Sequence, residues 1–288
     1  MYFLSVVLQN LVYGTQILMV AVAIYFVLSS SRIIHVALGA IGTFSAYIIY
    51  LGIISGWPFW LSAVFALFLT LALGLISAEL LEPFVVRREP LIGLIVSLAL
   101  VIVIESVIAI FFGTDGKSLQ QGILPVLDFG GVSINLPGVV TILLGMFLAV
   151  ISWLAITFTK TGRLLRSVSE NFSLAASLGI NNKNIRRLAH CLAALTAAVV
   201  MTLVGWHSAL TPLMGFNIVV IAFIALMIGG DLRGAVISSY VLAIIPGLVI
   251  GFSNGISEDA RLIIVFLLAA IFLAVRPSGI FGKKLREA

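Results

Sequence analysis

The chain has 288 residues, of which 62% are hydrophobic and only 9% carry a charged side chain. Together with a mean hydropathy of +1.26, this composition excludes a water-soluble domain and indicates a polytopic membrane protein. The formal net charge of +5 comes from the loops between apolar stretches, so it reflects anchoring in the lipid membrane and argues against nucleic acid as a partner.

Nine apolar stretches follow one another and predict an all-α, polytopic transmembrane helical bundle with about 8–9 spans. Most reach the roughly 20 residues needed to cross the hydrocarbon core, whereas the second, seventh and ninth are shorter. The first lacks a basic leader and a small-residue cleavage pattern, so we interpret it as a retained span. No repeat or long linker is found, and residues 1–288 are interpreted as a single domain. The predicted spans are Phe3–Leu28, His35–Leu51, Pro58–Ala78, Leu91–Gly113, Pro137–Phe158, Leu188–Leu210, Phe216–Gly230, Ala235–Phe252 and Leu262–Val275.

The basic residues lie almost entirely in alternate gaps between these stretches. One set of gaps contains 14 of the 16 lysines and arginines, and the other contains only Lys117 and Arg261. By the positive-inside rule the basic side is cytoplasmic, which places the N-terminus outside and the C-terminus inside the cell. The 14 residues are Arg32, Arg87, Arg88, Lys160, Arg163, Arg166, Lys183, Arg186, Arg187, Arg233, Arg276, Lys283, Lys284 and Arg286.

The longest outer gap, residues 114–136, contains several glycines. Val126–Leu127 and Val132–Ile134 could pair as a short hairpin around Asp128–Gly131. The simplest interpretation of this gap is a lid or a surface loop.

The basic gap, at about residues 159–187, contains a predicted helix that lies outside the bilayer. Ser169 is a plausible N-cap for a helix over Ser169–Leu178, Glu170 suits the positive end of its dipole, and Gly179 can end it as the C′ residue. Its apolar face needs a partner, either the ends of the chain's own spans or a separate cytoplasmic protein. The residues of that face are Leu174, Ala175, Ala176 and Leu178.

No catalytic motif is found in the sequence. A phosphate-binding loop of the form GxxxxGK[ST] is missing, since Gly282-Lys283-Lys284 lacks the glycine spacing and the Ser or Thr. Three scattered histidines and one cysteine predict neither a metal site nor a bound cofactor. The sequence therefore does not predict an enzyme, and if the chain takes part in active transport the energy must come from a partner or an ion gradient.

The stretch from Pro212 to Gly234 differs from the other spans. Pro212 and Gly215 begin it, and Gly229-Gly230 with Asp231 ends it. This pattern predicts either a short crossing or a half-helix that lines a cavity.

The basic gap resembles the coupling loop of bacterial ABC importer permeases. The pattern is Ala175-x-x-x-Gly179-Ile180-Asn181, preceded by Thr161-Gly162-Arg163-x-x-Arg166 and Glu170. Further segments resemble the branched-chain amino acid permease family, in the family's order. They are Arg32-Ile33-Ile34-His35-Val36-Ala37-x-Gly39, the region from Arg88 to Glu105 with Gly113, Pro212-x-x-Gly215-Phe216, Ala222-Phe223-x-Ala225-x-x-x-Gly229-Gly230, and Arg276-Pro277-x-Gly279-Ile280-Phe281-Gly282.

The resemblance implies a multi-pass permease subunit in the inner membrane of a prokaryote, translocating small amino acids, with the branched-chain class first. Its implied partners are a homologous permease, two cytoplasmic ATPase subunits that use ATP, and an extracytoplasmic substrate-binding protein. The residues implied in ATPase coupling are Glu170, Ala175, Ala176, Gly179, Ile180 and Asn181.

The sequence also departs from the family at positions that could touch the substrate path. His35 stands where the family usually has Asn, Glu105 where it commonly has Gln, and fewer residues than usual separate Gly230 from Gly234. Glu105 is interpreted either as a polar lining of the pathway or as a buried carboxyl bonded to a neighbouring helix. The alternative function is an ATP-independent secondary transporter or channel for a small polar solute, with Glu105 coupling to an ion. The candidate residues of a pathway or gate are His35, Ala37, Gly39, Glu105, Phe216, Gly229, Gly230 and Asp231.

Overall fold

The computed structural model describes residues 2–119, 126–128, 133–170, 172–253, 257, 260–276 and 279–280. These residues form helices and one short two-stranded sheet. The helices are α1 Tyr2–Ser31, α2 Leu38–Ile54, α3 Phe59–Val86, α4 Pro90–Phe112, α5 Leu136–Phe158, α6 Lys160–Glu170, α7 Phe172–Ser177, α8 Asn182–His207, α9 Met214–Gly229, α10 Leu232–Phe252 and α11 Arg261–Val275. The strands are β1 Val126–Asp128 and β2 Ser133–Asn135.

Six of these helices, α1, α3, α4, α5, α8 and α10, are long and apolar enough to cross a membrane. Helices α2, α9 and α11 are apolar but shorter, and they coincide with the three stretches that the sequence predicts to be short. The predicted all-α membrane bundle is therefore confirmed as a fold class, while the total of eight or nine crossings stays a prediction.

The chain folds as two compact units. Unit 1 comprises residues 1–21, 122–148 and 217–288, and unit 2 comprises residues 22–121 and 149–216. In unit 2, helices α2, α3 and α8 pack on one another, and α4 lies against α2 and α3. That one domain covers residues 1–288 stays a prediction.

Small residues let the helices of unit 2 approach closely. A Cβ on Gly42 of α2 would come within 2.5 Å of the carbonyl oxygen of Ala197, and one on Gly74 of α3 within 2.9 Å of the Ala194 Cβ. Helix α8 buries a row of alanines along the facing side. Close backbone approach through Gly and Ala is how helices pack where no water is expelled between them.

In unit 1, helix α10 packs against the first half of α1. The hydroxyls of Thr15 and Tyr240 are hydrogen-bonded at 3.1 Å, and a Cβ on Gly247 would fall on the side-chain amide of Asn10 at 2.0–2.2 Å. The Asn10 Oδ1 also accepts from Arg261 Nη1 at 2.9 Å, so the start of α11 lies at the same end of unit 1.

The hairpin predicted in the outer gap is confirmed. Strand β1 is antiparallel to β2, with Val126 opposite Asn135 and Leu127 opposite Ile134. Val132 and residues 129–131 of the predicted turn lie outside the described residues.

Candidate coupling segment and pathway residues

Helix α7 ends in a sharp turn at Gly179, as the sequence predicts. Gly179 has φ +80°, and the Ile180 N–H donates to the Ala175 carbonyl oxygen at 3.1 Å. This six-to-one bond with a left-handed C′ residue is the Schellman arrangement, which satisfies a carbonyl at the helix end. We refer to Leu174–Asn181 as the coupling segment.

The helix predicted over Ser169–Leu178 was wrong at its start. Ser169 lies inside α6, which begins at Lys160, so it is not an N-cap. The cap is Thr159, whose Oγ1 accepts from the Gly162 N–H at 3.0 Å.

Arg166 fixes α6 to the end of α5. Its Nη2 donates to the Ile156 carbonyl oxygen at 2.7 Å and to that of Thr157 at 2.9 Å. These carbonyls belong to the last turn of α5, where no intrahelical donor remains for them. Arg166 therefore has a structural role in joining α5 to α6.

Ala175 is buried inside unit 2, with 2% of its surface exposed. The exposed apolar residues of the coupling segment are instead Leu174 at 56% and Leu178 at 73%. Of the two partners left open for the apolar face, Ala175 therefore contacts the chain itself, and a direct contact of Ala175 with an ATPase subunit is corrected. Glu170 and Ala176 lie in α6 and α7, and their side chains lie outside the described residues.

Asn181 starts α8. Its Oδ1 accepts from the Asn184 N–H at 3.2 Å, and the neighbouring Ile180 is half-buried. The coupling segment thus passes from a C-cap directly to an N-cap, with both ends of the turn satisfied.

Ion pairs that sequence reasoning missed fix the start of α8 to the end of α3. Arg186 forms two bonds with the Glu82 carboxylate, of which the Nε–Oε2 bond is 2.7 Å long. Glu79 pairs with Lys183 at 2.9 Å and with Arg187. The sequence does contain a pattern that fits these pairs. Two acidic residues on α3, Glu79 and Glu82, and two basic residues on α8, Lys183 and Arg186, each have the i, i+3 spacing that places side chains on one face of a helix.

Arg32, at the end of α1, reaches the same region of unit 2. Its Nη2 donates to the Ser169 carbonyl oxygen near the end of α6 at 2.9 Å. The residue adopts φ +56°, a left-handed conformation that costs a non-glycine residue of order 1 kcal/mol or more. The turn after α1 therefore holds this arginine in place at the cost of backbone strain.

The segment before α2 is tied to α4 through Ser97. The His35 Nδ1 and the Ser97 Oγ are 2.9 Å apart, and the Ala37 N–H donates to the same oxygen at 3.1 Å. His35 and Ala37 are both almost fully buried. They therefore belong to the packed interior of unit 2.

Residues 214–216, which belong to unit 2, approach the beginning of α2 closely. A Cβ on Gly215 would lie 2.3 Å from the Gly39 carbonyl oxygen, so the chain can pass here only because position 215 is glycine. Phe216 is 36% exposed. Four candidate residues, His35, Ala37, Gly39 and Phe216, thus lie around the beginning of α2.

Glu105 is half-buried on α4. Its neighbours Ile104 and Ile108 pack into the core of unit 2 with Tyr47. The Glu105 Oε1 is buried and has no hydrogen-bond partner among the described residues.

Gly229, Gly230 and Asp231 form the turn between α9 and α10 in unit 1. Gly230 has φ +76°, and a Cβ on Gly229 would lie 2.3 Å from the Ala235 nitrogen. Asp231 is the N-cap of α10, because its Oδ1 accepts from the Gly234 N–H at 2.7 Å. The turn is also where the Ile280 N–H donates to the Ile228 carbonyl oxygen at 2.8 Å.

The chain is similar to several proteins of known type. It is 26% identical to the high-affinity branched-chain amino acid transport system permease protein LivH of Escherichia coli, over 98% of this chain and 96% of the relative. It is 24% identical to the corresponding protein BraD of Pseudomonas aeruginosa, with the same coverage. Among solved structures, PsaBC from Streptococcus pneumoniae in complex with Fab matches with a TM-score of 0.48 and 16% identity, over 92% of this chain and 88% of that one.

Residues 6–276 match the family described as branched-chain amino acid transport system / permease component. The match includes both units, the coupling segment and all eight candidate pathway residues. The chain therefore belongs to the branched-chain amino acid transport system permease family.

Proposed function

We propose that this chain is the membrane-spanning permease subunit of an ABC importer, translocating small amino acids with ATP hydrolysed by partner subunits. Branched-chain amino acids are the first substrates to test, since the Escherichia coli and Pseudomonas aeruginosa relatives are named for their transport. The departures at His35 and Glu105 make other small amino acids the second class to test.

The observation that carries the coupling part of the proposal is the shape of the coupling segment. Leu174 of α7 and Leu178, which follows the last residue of α7, are one turn apart and both exposed. The Leu178 N–H donates to the Leu174 carbonyl oxygen at 3.1 Å, so the two side chains keep a helical spacing. Apolar side chains at i, i+4 on a helix fit a hydrophobic groove of another protein. The turn at Gly179 leads straight into α8, so a push on this helix reaches a long apolar helix directly.

The partners proposed are two cytoplasmic ATPase subunits, a homologous permease and an extracytoplasmic binding protein. Closure of the ATPases would displace the two coupling segments, and the bundle would switch between outward- and inward-facing states as rigid bodies. The chain would lie in the inner membrane with its N-terminus outside and its C-terminus in the cytoplasm. This orientation is supported by the basic residues at the ends of α1, α3 and α11.

For the pathway, the residues proposed are His35, Ala37, Gly39, Glu105 and Phe216 of unit 2 and, from unit 1, Gly229, Gly230 and Asp231. Two of them could contact a substrate directly. Phe216 is 36% exposed, and Glu105 is half-buried, with an Oε1 that has no hydrogen-bond partner among the described residues. The others are closely packed or cap a helix, and would act by setting where α2 and α9 begin and end.

Reconstitution decides between the importer and the ATP-independent alternative. The vesicles would contain this chain, its partner permease, the ATPases and the binding protein. We expect them to accumulate leucine, isoleucine or valine only when ATP is present on the side of the membrane that carries the ATPases. Uptake by this chain without any ATPase would overturn the proposal and favour a secondary transporter or channel.

Two pairs of variants test the coupling segment in those vesicles. Leu178→Glu should uncouple uptake from ATP hydrolysis, because a carboxylate cannot enter an apolar groove without a counter-charge, whereas Leu178→Met should retain coupling. Gly179→Val should also lose coupling, because valine does not readily adopt the left-handed conformation of this residue, whereas Gly179→Asn should retain coupling. Equal uptake by Leu178→Glu and Leu178→Met would remove this segment from the coupling surface.

A further inference from the structure

We propose that Glu82 and Arg186 are positioning residues for transport, whose partly buried ion pair transmits displacement of the coupling segment from the start of α8 into α3. This inference rests on the proposed function, since it assigns a mechanical role to residues beside the ATPase-coupling segment. It concerns unit 2 alone.

The geometry of the pair is that of a rigid connection. Two nitrogens of one guanidinium bind two oxygens of one carboxylate, so the pair fixes orientation as well as distance. The Arg186 side chain is 3% exposed and that of Glu82 16% exposed. Water therefore cannot readily replace either partner, and separation would leave a charge in a poorly solvated place.

The neighbouring Glu79 provides the contrast. Its bonds to Lys183 and Arg187 join the same two helices, but all three side chains are more than 40% exposed. Exposed ion pairs of this kind exchange readily with water and contribute little. The structure thus places one tight and one loose connection side by side on α3.

Arg186 is five residues beyond Asn181, and residues 182–186 between them are helical. The bond from the Ile180 N–H to Ala175 closes the turn on one side, and the Asn181 cap closes it on the other. Displacement of the coupling segment would therefore pass to the first turn of α8 and to Arg186, which directly follows that turn.

A second contact further along makes α3 and α8 move together rather than hinge. A Cβ on Gly74 would meet the Ala194 Cβ at 2.9 Å and the His190 carbonyl oxygen at 3.4 Å. The two helices are thus joined by an ion pair at their end and by a small-residue contact two turns away. Two contacts prevent rotation of α8 against α3, so a displacement of α8 also displaces α3.

The experiment measures substrate transported per ATP hydrolysed in the reconstituted complex. We expect Glu82→Gln to insert and assemble but to lower this ratio several-fold, because the amide cannot hold the guanidinium in two charged bonds. Glu79→Gln is the matched control on the same helix and should leave the ratio unchanged. The exchange of charges in Glu82→Arg with Arg186→Glu should recover part of the loss, which a role limited to one side chain would not allow.

Hydrogen exchange on the purified chain tests the mechanical link without ATPases. Glu82→Gln should speed amide exchange in the first two turns of α8, residues 182–189, and Glu79→Gln should not. If the wild-type complex shows no ATP-dependent uptake while this difference persists, the proposed function falls and the link between α3 and α8 stands. An unchanged transport ratio in an active complex, or unchanged exchange in Glu82→Gln, overturns the inference.

Discussion

The imidazole rings of His35 and His190 lie 5.3 Å apart between centroids, at an interplanar angle of 48°, inside unit 2. The His190 Nδ1 must carry its proton, because its partner at 3.0 Å is the Arg186 carbonyl oxygen, which only accepts. The Nε2 of a neutral His190 is then an acceptor. Both Nε2 atoms are buried and have no hydrogen-bond partner among the described residues.

Ser97 completes a consistent arrangement of donors. Its Oγ accepts from the Ala37 N–H, so its own proton is available to the His35 Nδ1, and the His35 Nε2 then carries a proton. A donor on His35 thus accompanies an acceptor on His190, and one hydrogen bond or one bridging water would satisfy both. This arrangement joins the segment before α2 to helices α4 and α8.

Removal of the His35 ring should therefore destabilise unit 2 measurably. We expect His35→Ala to cost about 2–4 kcal/mol, from a cavity plus the loss of the hydrogen bond between His35 and Ser97. His35→Asn keeps a polar group near Ser97 and should lose less. Thermal unfolding of the detergent-solubilised chain, followed by tryptophan fluorescence, measures the difference, and equal melting temperatures for the two variants would contradict the donor arrangement.

Gly215→Ala should disturb the fold at the beginning of α2. The added methyl would overlap the Gly39 carbonyl oxygen at 2.3 Å, and backbone cannot move aside as a flexible side chain can. We expect a lower melting temperature and loss of uptake together, since Gly39 is itself a candidate gate residue.

Gly56→Ala is the control for that experiment. Gly56 has φ +82° and nothing within 4 Å of its Cβ position, so only the conformational cost of about 1 kcal/mol applies. If Gly56→Ala lowers the melting temperature and uptake as much as Gly215→Ala does, the close approach of Gly215 to Gly39 is not the reason that position 215 needs glycine.

At Asp231, a capping role and a pathway role can be separated. Asp231→Ala should cost about 0.5–2 kcal/mol of stability through loss of the bond to Gly234, and Asp231→Ser should restore most of it. Uptake by Asp231→Ser at the wild-type level would assign the residue to helix capping. A stable Asp231→Ser variant with impaired uptake would instead support a place in the gate.

Membrane orientation can be tested with single cysteines in a Cys191→Ser background. Ser55 and Ser177 are both exposed at helix ends, and the charge distribution predicts them on opposite sides of the membrane. A membrane-impermeant maleimide added outside intact cells should label Ser55→Cys and spare Ser177→Cys. The reverse pattern would invert the topology.

The sequence predicts helices well where a single residue decides the local backbone. Gly179 ends the predicted helix because a left-handed C′ residue acts on the backbone of its immediate neighbours. The role of Asp231 as the N-cap of α10 was not predicted and is seen only in the structure. Ser169 does not begin a helix, because it lies inside α6, whose N-cap is Thr159. The three short apolar helices could be predicted because the length of an apolar stretch is read directly from the sequence and does not depend on packing.

What the sequence could not show depends on contacts between distant positions. The Glu82–Arg186 pair spans 104 residues, and the burial of Ala175 depends on how α7 lies against unit 2. A helical pattern identifies an apolar face but not which part of it the chain itself covers. Charge spacing on two helices could have suggested the pair, yet nothing local indicates that those helices are neighbours.

Glu105 offers the sharpest test of the substrate path. Its Oε1 is shielded from water without a hydrogen bond in the described part of unit 2, while the residue as a whole is half-buried. A carboxylate at this depth costs about 2.5–3.5 kcal/mol even on insertion scales, so a purely structural residue would be better as an amide. We expect Glu105→Gln to assemble and melt at or above the wild-type temperature, yet to change the rate or selectivity of uptake. Competition between leucine and smaller or more polar amino acids measures selectivity. Unchanged uptake with unchanged competition would assign Glu105 to packing and leave Phe216 as the residue to examine for substrate contact.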